Sequence, residues 1–406
     1  MAILRYGIDS TARLEPPEGG TIVECGRPQG RPLADLTAAV TEALNDPLEY
    51  PPFLQSTTPG DRVVLALEYG LPQPAQIALA IIRSLVDAGV HPDGIAVLQP
   101  EADAQTDSED PRHLLPEPIR ERVNLITHDL DHREKLAFLA TNDGGEPIML
   151  ARAIHDADLV IPVGCVQHEA SAGYWGIHGP IFPTFSDRKT LRRFRSPAVL
   201  NTQSKRKREL LREVDQVAWM LGIQFSVQIV AGEADSVLHV VAGGSDAVGG
   251  RCRELHAAAW SGSMPQQAPL VVAALEGDRR QQSWENLGRA LDAACALVDD
   301  DGAIVVCCDL AEPPGPAFQR LAGARSRDGV LRHIRKDRPV DTLPAAQLIQ
   351  ALDRCRVYLL SRLAPTLVED IEVVHVASAD ELARLVGRHR SCILLANASR
   401  AVVTVE

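Results

Sequence analysis

Residues 61–99 constrain the fold more than any other stretch of this chain. Asp61 and Arg62 lead into the apolar run VVLALEY; PAQIALAIIRSLVDAGV then carries apolar residues at helical spacing and is ended by Gly89, and GIAVLQP is a second apolar run. Two strands joined by such a helix are parallel neighbours, because parallel pairing requires a crossover. Apolar residues make up 45% of the chain but aromatics only 4%, so Val, Leu, Ile and Ala fill the interior, as in buried parallel sheets. The expected fold class is α/β.

At 406 residues the chain exceeds what one core usually supports, which predicts two domains. A Pro- and Gly-rich opening (LEPPEGG, GRPQGRP) precedes a helix at 33–44. After the β-α-β unit, the acidic segment 101–116 reads as a loop leading into a short helix. VNLITHD is a strand, 132–140 a helix, Gly144-Gly145 a turn, and 147–151 and ADLVIPVG are strands. QFSVQIVAG and SVLHVVAGG read as paired strands. At 261–269 (SGSMPQQAP) the composition turns small and polar, the mark of an exposed interdomain connection. Beyond it the pattern restarts: LVVAALEGD, helix SWENLGRALDAACALV, GAIVVCCDL, a further helix, YLLSRL, EDIEVVHVA, a helix at 379–388 and CILLANA. The expectation is therefore two three-layer α/β domains, 1–262 and 263–406, with largely parallel sheets and a cleft between them.

The formal net charge of −13 opposes general nucleic-acid binding, which is dominated by Lys and Arg on phosphates. No apolar run approaches the length of a membrane span, and the start MAILRYGIDS lacks the pattern of a secretory signal. A cytoplasmic protein with a small anionic partner, and neither nucleic acid nor membrane, is the expectation. The eight cysteines show no C-x-x-C pair and are expected to be reduced.

Ligands of α/β proteins bind beyond the carboxyl ends of the strands, which draws attention to ADLVIPVG and the loop GCVQHEASAGYW after it. His168 stands in that loop, and histidine is the residue type that most often serves as a general acid or base. Residues 188–208 hold nine Lys and Arg and one acid-free run of charge, readable as an anion site or as a solvated helix face. No dinucleotide fingerprint, P-loop or nucleophile elbow is present.

The order of several landmarks resembles the lactate racemase family, the nickel-pincer-nucleotide-dependent 2-hydroxyacid racemases and epimerases. They are Tyr6-Gly7, DPLEYPPF, PGDRVVLALE, LVDAGV, THD, GEPIMLARAIHDADLVIPVG and H-x-x-x-AGYWG, followed by EGD, ENLGRALDAA and DDDGAIVV. The resemblance implies two α/β domains with a nickel cofactor and substrate between them. His168 matches a catalytic histidine, and Asn286-x-x-Arg289 stands where the family has Q-x-x-K near cofactor and substrate. Arg289 retains the ability to grip a carboxylate bidentately, and Tyr174 and Trp175 are expected to line the cleft with it.

Other family positions are altered. Leu71 replaces the substrate-binding arginine of D-x-T-R-P-x-P, and Ala102 stands where the second acid/base histidine falls. The lysine that is covalently joined to the cofactor falls at Gly179 or His178, and the nickel-ligating histidine near Phe194. His178 is the candidate substitute metal ligand; Lys189, beside Arg188, is the candidate substitute anchor for a nickel-pincer nucleotide. Two functions follow: an isomerase-family enzyme with an altered site acting on a small 2-hydroxyacid or sugar acid, or a catalytically silent binding homologue.

Overall fold

The computed structural model describes residues 1–55, 57–105 and 110–406, and in it the chain builds two six-stranded sheets, each with helices on its faces. The first runs in the order Val237–Gly244, Phe225–Ala231, Leu159–Cys165, Val63–Leu67, Ile95–Gln99, Asn124–Thr127. Every neighbouring pair is parallel except the hairpin of the first two. Val63–Leu67 is buried along its whole length. Successive side chains alternate between faces: Val63, Leu65 and Leu67 pack under helices Leu36–Asn45 and Pro74–Asp87, while Val64 and Ala66 meet Phe182, Leu210 and Val214. Pro74 opens its helix where a missing N–H is no loss, and Gly89, at φ +94°, follows its end.

The second sheet runs Val374–His375, Arg356–Leu360, Val298–Cys307, Ala268–Ala274, Ser391–Leu395, Thr21–Cys25, all parallel. Its last strand comes from the start of the chain. A hairpin of Ala2–Tyr6 and Ser10–Leu14 lays Leu4, Ala12 and Leu14 against Leu270, Val272 and Val305 of the same sheet. The opening residues, counted within 1–262 by the sequence reading, are therefore built into the second unit. Parallel pairing of Thr21–Cys25 with Ser391–Leu395 is a contact between the two ends of the chain, which no local pattern announces.

Three expectations need correction. Residues 132–140 are not a helix: a single 3-10 turn, Arg133–Lys135, leads into strand Leu136–Thr141, which pairs antiparallel with Pro147–Ala151. Asn142 Oδ1 accepts from Gly144 N (3.0 Å) and Glu146 N (2.9 Å), closing a tight turn that brings the two strands together, whereas so short a helix would have little to repay its nucleation. The small polar segment 261–269 is not a free connection, since Ser261–Met264 pairs with Val402–Val405 through backbone groups that ignore side-chain polarity. EDIEVVHVA yields a strand only at Val374–His375, because Pro365–Asp370 turns its start into a helix. Of the acidic segment 101–116, Glu101–Gln105 is helical, and residues 106–109 lie outside the described residues.

In each sheet the chain reverses its direction of winding once. In the first, the strands after Val63–Leu67 add on one side up to Asn124–Thr127, then on the other from Leu159–Cys165; in the second, the reversal falls between Ala268–Ala274 and Ser391–Leu395. Such reversals leave a crevice beyond the carboxyl ends of the two strands concerned. Among the described residues no helix is long and apolar enough to cross a membrane.

Candidate functional site

The crevice of the first sheet opens between Leu67 and Cys165. Glu68, the first residue past its strand, turns its carboxylate to the other strand's end, where Oε2 accepts from Cys165 N at 2.7 Å. Burial pushes the Glu68 carboxyl up to about 7, opposed by that hydrogen bond and by the Arg289 guanidinium. Burial likewise raises Asp103 to about 6, against a hydrogen bond from Gly70 N. A side chain held near its titration midpoint at neutral pH can both take and give a proton.

The second unit closes over this crevice from its own reversal point. Gln281 Nε2 donates to Gly70 O (3.0 Å), and Ala234 N donates to Asn397 Oδ1 (3.2 Å). Arg400 Nη1 donates to Gly232 O (2.8 Å) and to Ala234 O. Within the first unit, Gln73 Nε2 donates to Asp235 O (2.8 Å). Arg280 holds Asp278 at 2.6 Å and approaches Asp235 at 3.8 Å. One small hollow there, walled by Glu68, Gln99, Asp103 and Arg280 among others, is about 10 Å³, hardly room for one water. Two larger hollows lie elsewhere: about 870 Å³ beside Arg325, Arg327 and Asp370, and about 250 Å³ beside Tyr50, His155 and Phe225 at the entering ends of the first sheet's strands. Topology and charge, not cavity size, make the seam the candidate site.

Arg289 reaches across the seam. Ser283 caps its helix, Trp284–Cys295, by accepting from Asn286 N. From the second turn, Arg289 Nε donates to Ala172 O (2.9 Å) in the His168 loop, and Nη1 donates to Asn286 Oδ1 (3.1 Å). Buried Asn286 is in turn fixed by donating to Gln281 O (2.9 Å). Burial pulls the guanidinium down from its usual value, opposed by Glu285 and Glu68. It remains a cation.

Tyr174 and Trp175 are each 7% exposed and sit on the same loop. Burial, then Glu68, raises the Tyr174 phenol, and burial with Glu285 and Asp103 raises that of Tyr69. Both therefore stay protonated donors. Lys207, hidden in the basic run of the sequence, is buried at 3% exposure. Its Nζ donates to Tyr174 O (2.9 Å) and lies 4.3 Å from the Trp175 ring, and burial lowers it to about 8. His168 is exposed at the loop's start, where its Nδ1 accepts from Ala170 N (3.3 Å). Buried His256, lowered to about 4 by burial together with the charges of His168 and Arg400, lies on helix Ser245–Trp260.

The remaining sequence candidates are engaged with partners of their own. His178 Nδ1 meets Asp215 at 3.2 Å, and its Nε2 is buried without a hydrogen-bond partner. Arg188 pairs with Asp131 at 2.5 Å and Lys189 with Glu146 at 3.0 Å, both on exposed side chains. Much of the basic run is thus a solvated, ion-paired surface. Among the described residues no three His, Cys, Asp or Glu side chains group as a metal site, and Gly179 and His178 offer no amine at the expected anchor position. A nickel-pincer nucleotide held by a covalent lysine and a histidine ligand does not fit these residues.

Glu68 and Asp103 escaped the sequence reading. The usable signal was position: Glu68 directly follows a wholly apolar strand, and Asp103 stands in the short helix that follows the next strand, Ile95–Gln99. Lys207 gave no such signal, because its neighbours in sequence are solvent-facing cations.

Residues 6–207 match the lactate racemase N-terminal domain, and no curated protein matches the chain. Its fold is similar to that of the lactate racemase apoprotein from Thermoanaerobacterium thermosaccharolyticum, with a TM-score of 0.79 at 16% identity over 99% of this chain and 100% of the other. A protein from Thermotoga maritima is also similar, with a TM-score of 0.68 at 15% identity over 93% of this chain and 99% of its own. The chain belongs to the lactate racemase family, whose N-terminal domain it carries in residues 6–207.

Proposed function

We propose that the seam between the two sheets receives a small 2-hydroxyacid or sugar acid, that Arg289 holds its carboxylate, and that Glu68 moves protons with His168 at the rim. The observation that carries this reading is the approach of a partly buried guanidinium from the second unit to the carboxyl ends of the first sheet, where Glu68 is raised to about 7. A carboxylate ligand would replace Ala172 O as the partner of Arg289, at little cost to the guanidinium's hydrogen bonding. Asn286 orients Arg289, and the Tyr174 phenol and Trp175 ring form the wall behind the ligand. The hollow beside Glu68 and Asp103 is about 10 Å³, so a ligand that reaches Glu68 requires the two units to part along the seam.

The test is calorimetric titration with a panel of 2-hydroxyacids and aldonic acids, together with NMR detection of α-hydrogen exchange in deuterated water. Arg289→Gln is expected to weaken binding of the best ligand by about tenfold to a hundredfold, the worth of a hydrogen bond to a charged group. Arg289→Lys should recover part of the loss. Unchanged affinity in both variants rejects the role of Arg289.

The second reading is a homologue that binds without turnover. It is favoured by Leu71 and Ala102 at positions where the family has an arginine and a histidine. Tight binding with no exchange at the α-carbon would support it; stoichiometric nickel in protein made in a host that supplies the cofactor would reject it.

A further inference from the structure

We propose that the outer face of helix Lys205–Met220 is the contact surface for a second copy of this chain, paired antiparallel about a twofold axis so that Arg212 meets Asp215, and Arg208 meets Trp219, of the other copy. The helix starts at Ser204, whose Oγ accepts from Lys207 N at 3.1 Å. Its inner stripe, Leu210, Val214, Val217 and Ala218, is buried in the core beneath the first sheet. The outer stripe follows from the helical period: Lys205, Arg208, Arg212, Asp215 and Trp219 recur every three or four residues, so they share one side, and all five are exposed. Trp219, at 82%, is the most exposed large apolar side chain among the described residues. An indole left in water forgoes a large hydrophobic gain, and Trp and Arg are the residue types enriched among the anchors of protein contacts.

The order of charges along the stripe selects the occupant. Lys205 and Arg206 pair with Glu209, whereas among the described residues no carboxylate lies within ion-pair distance of Arg208 or Arg212. Asp215 Oδ1 meets His178 Nδ1 at 3.2 Å, yet 74% of the Asp215 side chain stays in water. Cations thus occupy the first part of the stripe, and the acid and the aromatic the last. Positions 208 and 219, and positions 212 and 215, are symmetric about one point of the helix, so a single twofold axis through that point makes both pairs twice, as an isologous contact requires. A parallel copy would instead set like against like. The antiparallel arrangement also lays Lys205 beside the negative end of the other helix, and a guanidinium over an indole adds a cation–π attraction. One helix pair makes a small interface, so the expected dissociation constant is micromolar. The inner side of the same helix holds the loop of the candidate site, through Lys207 Nζ on Tyr174 O. Pairing therefore braces that loop in both copies.

Sedimentation velocity of the full-length protein, from micromolar to sub-millimolar concentration, tests this. The expected result is a concentration-dependent shift from the mass of one chain to twice that mass. Trp219→Ala should raise the dissociation constant by roughly thirtyfold, the effect of truncating an interface anchor. Arg212→Asp and Asp215→Arg should each be monomeric, since each sets like charges opposite one another. An equimolar mixture of those two variants should pair again, as should a double variant carrying both changes. A single species of one chain's mass at every concentration would overturn the proposal, as would a dimer that Trp219→Ala leaves equally tight, or a mixture of the two charge variants that stays monomeric. All three side chains face water, so the circular dichroism of each variant should match the parent's, which separates a lost contact from a lost fold.

Discussion

Glu68 is the residue on which the chemistry proposed for the seam turns, and its titration gives the sharpest check. Its folded value of about 7 lies above the ordinary 4.5 because burial favours the neutral acid. The folded state therefore binds this proton more tightly than the unfolded state, so its contribution to stability is complete below about 4.5 and is lost as pH rises through about 7. Gln cannot titrate, yet its side-chain oxygen can still accept from Cys165 N. We expect the stability of Glu68→Gln relative to the parent to rise by about 1–3 kcal/mol between pH 4.5 and pH 8, measured by urea unfolding at both ends. An equal gap at the two pH values would mean that Glu68 does not titrate in this window. The same variant should lose α-hydrogen exchange with any ligand found, while Lys189→Gln, on the ion-paired surface, should leave binding unchanged in the same titration. His168 and Arg289 were legible in the sequence as family landmarks; Glu68 and Lys207 were not, because burial against a strand end or an aromatic ring is decided by residues far off in the chain.

At the scale of elements, the site depends on one cap and one glycine. Ser283 Oγ satisfies Asn286 N at the start of the helix that presents Arg289. Ser283→Ala should cost about 1 kcal/mol, the usual worth of such a cap, read as a lower urea midpoint with an unchanged slope. Gly164 lies within Leu159–Cys165, where a Cβ would stand 2.7 Å from Pro180 Cγ and 2.9 Å from Gln228 Oε1. The loop bearing Tyr174 and Trp175 folds back over the strand at that point. Gly164→Ala should therefore destabilise by about 1–3 kcal/mol through overpacking, and a melting temperature equal to the parent's would show that the loop can yield. The β-α-β unit was readable because its apolar runs and crossover helix are each a local pattern. The Leu136–Thr141 hairpin was misread, since its pairing partner and not its own period fixes its state.

At the scale of the whole molecule, the two ends of the chain are interdependent. Leu4, Ala12 and Leu14 are each at most 3% exposed against the second sheet, and Thr21–Cys25 forms its edge. A fragment of residues 263–406 lacks all of these. We expect it to bind hydrophobic dye and to unfold without a sharp transition, and a version with residues 1–31 joined through a flexible linker to regain cooperative melting. A fragment that melts sharply by itself would show that the opening strands are dispensable. Hydrogen bonds along the seam, including those from Gln281, Arg400 and Arg289, join two units whose reversal points face each other.

The sequence by itself determined the α/β class, the central parallel strands and the crossover helices, because apolar periodicity, glycine stops and capping residues act over a single turn or strand. Only the tertiary structure decided which sheet the first strands join, that Lys207 turns inward while Lys189 stays in water, and that Glu68 and Arg289 share a seam. Those outcomes depend on contacts between residues distant in the chain, where burial sets the cost of a charge and the partner sets its sign.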